Sequence, residues 1–122
     1  NALILLRREQ PDSLALRAIR IHVLELDDAG PHFAARALDA LRLPGGALAG
    51  LEATLRRVPY DWSKPDALRH LLAELPVDAI TAGSTEGGLF DYGSDEALLG
   101  HPQVLRDATP GDFTMVGPVV RA

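Results

Sequence analysis

Apolar residues recur along this chain with two periods, about two in some stretches and three to four in others, and each change of period marks a new element. The run Ile21-His22-Val23-Leu24-Glu25-Leu26-Asp27 alternates, is β-branched and closes on acids before Gly30-Pro31, so it predicts a strand. Alternation puts Ile21, Val23, Glu25 and Asp27 on one face and His22, Leu24 and Leu26 on the other. From Pro31 to Leu43 the period lengthens. Phe33, Ala34, Ala37, Leu38 and Leu41 form a stripe opposite Arg36 and Asp39, which predicts a helix that Pro44-Gly45-Gly46 stops. Leu51 to Val58, through Thr54 and Leu55, predicts a second strand leading into Pro59-Tyr60-Asp61-Trp62. Ser63-Lys64-Pro65-Asp66 then has capping-box spacing, with Asp in place of Glu, ahead of a stripe of Leu68, Leu71, Leu72 and Leu75. This predicts a helix from Ser63 to Leu75, ended by Pro76.

Val77 to Ala82 reads as a third strand, and Gly83-Ser84-Thr85-Glu86-Gly87-Gly88 supplies small, flexible, hydrogen-bonding residues where it ends. Ser94, followed by Asp95 and Glu96, predicts an N-cap with favourable charge in the first helical turn. The helix it opens is expected to break at Gly100-His101-Pro102 and to resume through Arg106. Thr109-Pro110-Gly111-Asp112 is a turn. Phe113 to Val120 is a last strand, at an edge or bulged because of Gly117 and Pro118. At the other end, Leu3 to Leu6 is too short to tell strand from helical turn, and Leu14, Ala15, Leu16, Ala18 and Ile19 suggest a short helix capped by Asp12 or Ser13. Alternation of strand and helix from Ile21 onward predicts a mostly parallel, helix-covered α/β sheet of the doubly wound kind.

The chain has 122 residues, 47% of them hydrophobic, with three Phe, two Tyr and one Trp, so its core is expected to be aliphatic. The absence of cysteine excludes disulfides, thiolate metal sites and thiol nucleophiles. A net charge of -5 with scattered basic residues argues against nucleic acid as a partner, and the doublets Arg7-Arg8 and Arg56-Arg57 read as solvated faces. No apolar run approaches the roughly 20 residues that span a bilayer, and no secretory segment is visible, so a cytoplasmic protein without a membrane partner is expected. Asn1-Ala2, without a methionine, reads as the remnant of a removed tag. Residues 3–122 are then expected to form a single α/β domain, a piece of a longer protein.

Strands ending near Asp27, Asp61 and Glu86 would each bring a carboxylate to the carboxyl edge of the sheet, where ligands of α/β domains collect. An acid there suits ribose hydroxyls; Asp27 and Asp28 capping the next helix is the competing reading. Glu86, flanked by Gly87 and Gly88, is placed to act as a base or to orient a substrate amine, or else belongs to an ordinary turn. The four histidines lack metal-ligand spacing: His22 is expected to pack within its strand, and His32, His70 and His101 to lie on the surface.

The run Ser84-Thr85-Glu86-Gly87-Gly88-Leu89-Phe90-Asp91-Tyr92-Gly93-Ser94-Asp95-Glu96 resembles the segment after the fourth strand in a group of bacterial class I S-adenosylmethionine-dependent methyltransferases. The resemblance implies a three-layer Rossmann-like sheet with helices on both faces. It implies S-adenosylmethionine as cofactor, with Asp27, or Glu25 in reserve, on the ribose and Asp61 beside the adenine. Ser84, Thr85, Gly87 and Gly88 would line the side of an unspecified methyl acceptor, with Glu86 catalytic. The family's glycine-rich turn after its first strand has no counterpart before Ile21. The first strand is therefore expected upstream, the sheet is expected to be incomplete, and the isolated chain to be inactive. The exposed edge left by that strand would favour a homodimer. A non-catalytic α/β ligand-binding or interaction module is the alternative.

Overall fold

The computed structural model describes residues 2–85 and 94–117. It is mixed α/β, and its described strands form two parallel two-stranded sheets. The element order is α1 (Ala2–Glu9), α2 (Pro11–Ala15), β1 (Ile19–Leu24), α3 (Ala29–Arg42), β2 (Ala53–Val58), α4 (Asp66–Ala73), β3 (Thr81–Ser84), α5 (Asp95–Ala108) and β4 (Phe113–Val116). By internal contacts the chain divides into two compact units, Asn1–Pro59 and Tyr60–Ala122. Among the described residues no helix is long and apolar enough to cross a membrane.

In the first unit β1 and β2 run parallel, from Ile19 opposite Ala53 to Leu24 opposite Val58. The pairing continues one residue past the strand, where Glu25 N–H donates to the Val58 carbonyl at 3.1 Å. Leu14, Leu38, Leu48, Leu51 and Ala53 are buried together, with Leu3, Ile4, Ile19, Ile21, Leu41 and Leu55 packed around them. The apolar tetrad before residue 7 is thus helical and helps to cover the sheet. The strand begins at Ile19 rather than Ile21 and ends at Leu24, so Ile19, expected in a short helix, pairs with β2 instead. Its neighbour α2 opens with Pro11 at its first position and caps on Gln10 without a side-chain bond, so neither Asp12 nor Ser13 is the cap.

Helix α3 suits its alanine-rich sequence, since alanine loses no side-chain entropy in a helix. It buries Pro31 and Leu38 and packs on β2. Phe33, expected on the inner stripe, is 75% exposed. A hundred-degree stripe drawn through Ala34, Ala37, Leu38 and Leu41 leaves it on the rim, and the small alanines let the helix approach the sheet without it. The predicted stop is present. Gly45 has φ +83°, and a Cβ on Gly46 would run into the carbonyl of Leu41, so the turn needs glycine at both places.

In the second unit β3 and β4 pair in parallel, Thr81 opposite Phe113 and Ser84 opposite Val116. Helix α4 buries Leu68, Leu71 and Leu72 and packs against α5. It starts at Asp66, with Pro65 at the N-cap and no side-chain cap, so the capping box does not form. Ser63 turns back instead and gives its hydroxyl to Asp61 at 2.7 Å. The third strand also starts later than its sequence suggests. Val77 and Ile80 are 81% and 78% exposed, and the backbone turns at Pro76–Ala79 before β3 opens at Thr81. Gly83 therefore lies inside the strand, not in a loop after it. A Cβ there would sit 2.8 Å from the ring of Phe113, so this glycine makes room for an aromatic side chain of the neighbouring strand.

Helix α5 begins as expected, with Ser94 Oγ accepting the Ala97 N–H at 3.2 Å and Asp95 and Glu96 in the first turn. It is not interrupted at Gly100-His101-Pro102 but runs through to Ala108. An internal proline costs about 3 kcal/mol. Burial of His101, Val104 and Leu105 on the same face offsets that cost. Residues Pro118–Ala122, the end of the expected last strand, lie outside the described residues.

Candidate functional site

The loop that follows β1 is built by its own carboxylates. Glu25 Oε1 accepts the N–H of Leu26 at 2.9 Å and that of Asp27 at 3.5 Å, and Asp27 Oδ1 accepts the N–H of Ala29, the first residue of α3, at 2.6 Å. The capping reading of Asp27 therefore holds for one of its oxygens. Asp28 occupies the N-cap position but makes no side-chain cap bond. Glu25 is half-buried, while Asp27 and Asp28 are exposed. Among the described residues neither Glu25 nor Asp27 is in an ion pair, so one oxygen of each carboxylate remains unshared at the carboxyl end of β1.

Arg57 organises the same loop from β2. Its Nε donates to the carbonyls of Glu25 at 3.2 Å and Asp27 at 3.0 Å, and its Nη2 donates to the carbonyl of Leu26. Of the Arg56-Arg57 doublet, expected on a solvated face, Arg56 is exposed and Arg57 is half-buried. A strand position paired with Val23 carries the side chain to the strand end, a placement that no local pattern reveals.

In the second unit Asp61 makes a closely similar turn. Its Oδ1 accepts the N–H of Ser63 at 3.0 Å and its hydroxyl at 2.7 Å, while Lys64 Nζ lies 3.6 Å from Oδ2. The Ser63 hydroxyl and backbone N–H, helped by the Lys64 charge, hold this carboxyl below the usual carboxylate range. Both of its oxygens are thus engaged locally.

Beside Asp61, Tyr60 is buried and meets His101, the most enclosed polar residue among those described at 2% exposure. The Tyr60 hydroxyl lies 2.5 Å from His101 Nε2, and His101 Nδ1 lies 2.6 Å from the Ala97 carbonyl. A carbonyl only accepts, so Nδ1 carries the proton, and in the neutral ring Nε2 accepts from the tyrosine. The rings meet edge to face at 5.8 Å. Burial, and secondarily the charge of Asp61, pushes the Tyr60 phenol from 10.0 up to about 12. The expectation that His101 lies on the surface is therefore overturned, whereas His32 and His70 are exposed and His22 is half-buried within β1. The signal available in the sequence was position: His101 falls three residues before Val104 and four before Leu105, on their helical face.

Of the remaining candidates, Ser84 is the exposed last residue of β3, and Thr85 follows it, half-buried, its N–H donating to the Val116 carbonyl at 3.0 Å. Glu86, Gly87 and Gly88 lie outside the described residues. Glu25 and Asp27 are brought together in the first unit, and Asp61, Ser84 and Thr85 belong to the second. No protein-family model matches this chain, and no curated protein or solved structure matches it either.

Proposed function

We propose that this chain is part of a class I S-adenosylmethionine-dependent methyltransferase with a three-layer Rossmann-like sheet, acting on an unspecified methyl acceptor. The run Ser84 to Glu96 and the order of strands support the reading. The observation that carries it is the acidic turn at the carboxyl end of β1. There, among the described residues, Glu25 and Asp27 each keep one unshared carboxylate oxygen, beside a parallel pair of strands, where an α/β sheet receives ribose hydroxyls. When bound, S-adenosylmethionine supplies the methyl group. In this reading Asp27, with Glu25 in reserve, would hold the ribose, Asp61 would serve the adenine, and Ser84, Thr85, Gly87 and Gly88 would serve the methyl acceptor. Glu86 takes the acceptor's proton or orients its amine. A cytoplasmic location and a homodimer belong to the same proposal.

Calorimetric titration of the full-length protein with S-adenosylmethionine tests it, and Asp27→Asn is the informative variant. Asparagine keeps an oxygen for the Ala29 N–H but removes the charge, so cofactor affinity falls roughly ten- to a hundredfold, about 1.5 to 3 kcal/mol, at nearly unchanged Tm. Asp27→Ala loses the same affinity and also the cap, about 0.5 to 2 kcal/mol of stability. Glu86→Gln leaves binding intact and lowers turnover. Absence of heat and of thermal shift at millimolar cofactor refutes the proposal. One observation favours a non-catalytic ligand-binding or interaction module: Asp61 spends both oxygens on its own turn. That reading gains if Asp27→Asn binds as the wild type does and Asp27→Ala only melts lower.

A further inference from the structure

We propose that Arg57 is the positioning residue of the acidic turn, and that it sets the turn by holding peptide carbonyls and not the carboxylates. Past Glu25 the ladder between β1 and β2 ends, and the carbonyls of Glu25, Leu26 and Asp27 have no strand partner. The guanidinium, planar and rich in donors, takes all three. With three successive carbonyls gathered on one group, the N–H groups of Leu26 and Asp27 are left to Glu25 Oε1, and the turn is closed on both sides.

The choice of acceptor matters for function. A guanidinium bound to the backbone of Glu25 and Asp27 would ordinarily form a bidentate pair with a carboxylate, which would occupy the oxygens a diol needs. Here the positive charge sits against carbonyls, and among the described residues it pairs with neither acid. Arg57 thus orders the loop before any ligand arrives, and among the described residues Oε2 of Glu25 and Oδ2 of Asp27 stay unshared. Lysine at this position brings a charge and donors but no fork, so it restores the loop only in part. The effect on cofactor affinity rests on the methyltransferase reading; the effect on the loop does not.

The test compares wild type, Arg57→Gln, Arg57→Lys and the exposed neighbour Arg56→Gln as control, all in the full-length protein. Amide hydrogen exchange at Leu26 and Ala29 reads the loop, and titration with S-adenosylmethionine reads the site. Arg57→Gln is expected to speed exchange at both amides at least tenfold and to weaken cofactor binding at least tenfold, with Arg57→Lys intermediate and Arg56→Gln like wild type. If Arg57→Gln does not fold, the same comparison is read from Arg57→Lys. Unchanged exchange overturns the proposal, whatever the ligand does. Faster exchange with wild-type affinity overturns the functional half and leaves Arg57 a loop clamp only. If wild type itself fails to bind the cofactor, the methyltransferase reading falls while exchange still decides the role of Arg57.

Discussion

At Asp27 and at Asp61 a carboxylate oxygen accepts the amide two residues further on, Ala29 at 2.6 Å in one case and Ser63 at 3.0 Å in the other. The two turns differ in what surrounds the second oxygen. At Asp61 the Lys64 ammonium lies 3.6 Å from the second oxygen while the Ser63 hydroxyl shares the first, so the acid serves its own turn. At Asp27 the cation that arrives comes from the neighbouring strand, thirty positions away from the carbonyl of Asp27 that it binds, and it takes that carbonyl while leaving the carboxylate. Two acids with the same local geometry therefore differ in what they have left to offer a ligand. The chemistry of a strand-end acid is decided by its second oxygen.

The same contrast runs through the cores. The first unit closes over aliphatic side chains, with Val58 and Pro31 buried beside its leucine, isoleucine and alanine, and the second adds the buried Tyr60–His101 pair. An aliphatic core responds to lost volume, so Leu48→Ala, at a site 2% exposed, should be the most costly of the changes considered for the cores, about 2 to 5 kcal/mol by denaturant unfolding. A loss under 1 kcal/mol would mean that Leu48 is not where the first unit closes. A polar pair responds to a lost partner. Tyr60→Phe strands His101 Nε2 without a donor and should cost about 1 to 3 kcal/mol while changing volume very little.

Tyr60 also makes the second unit sensitive to alkali. Because the folded chain holds the phenolic proton up to about pH 12 and the unfolded chain releases it near 10.0, this contribution to stability is complete below pH 10.0 and is lost as pH rises through that window. Thermal melts between those values should fall with pH in the wild type and fall less in Tyr60→Phe. Equal slopes would remove the tyrosine from the account. The smallest effect is expected at the exposed turn. Ser63→Ala should move the Asp61 carboxyl back up toward 3.8, followed by NMR titration, because the hydroxyl bond is the largest cause of its depression. The stability that this lowered value confers is present above 3.8 and disappears as pH falls through the folded value. No movement would mean that Lys64, and not Ser63, sets the charge there.

Much of the architecture was legible in the chain. Alternation at Ile21–Leu24 and around Thr54–Val58, the leucine stripe of α4, the stop at Pro44-Gly45-Gly46 and the cap at Ser94 are local signals, and an element formed around each, with β1 shifted to Ile19–Leu24 and α4 shortened to Asp66–Ala73. The departures share one cause. In a capping box the Ser63 hydroxyl would accept the Asp66 N–H, but it donates to Asp61 instead, so the turn competed successfully with the box. Pro102 signalled a break, and the burial of His101, Val104 and Leu105 outweighed it. Val77 and Ile80 looked like strand, yet the pairing partners of β3 lie in Phe113–Val116 and fix its start at Thr81.

The sequence by itself determined which residue types were available: acids after β1 and β2, glycines at the turns, an aliphatic supply for the core, and the absence of thiols. These depend only on composition and on periods of two to four residues. The tertiary structure decided which of those groups are engaged. Arg57 reaches Glu25, Leu26 and Asp27, and Tyr60 reaches His101, across separations of 30 to 41 residues. Hydrogen bonding is a short-range interaction that needs partners within about 3 Å. Only the register of parallel strands and the packing of a helix bring such distant groups to that range, and no local pattern encodes where they will meet.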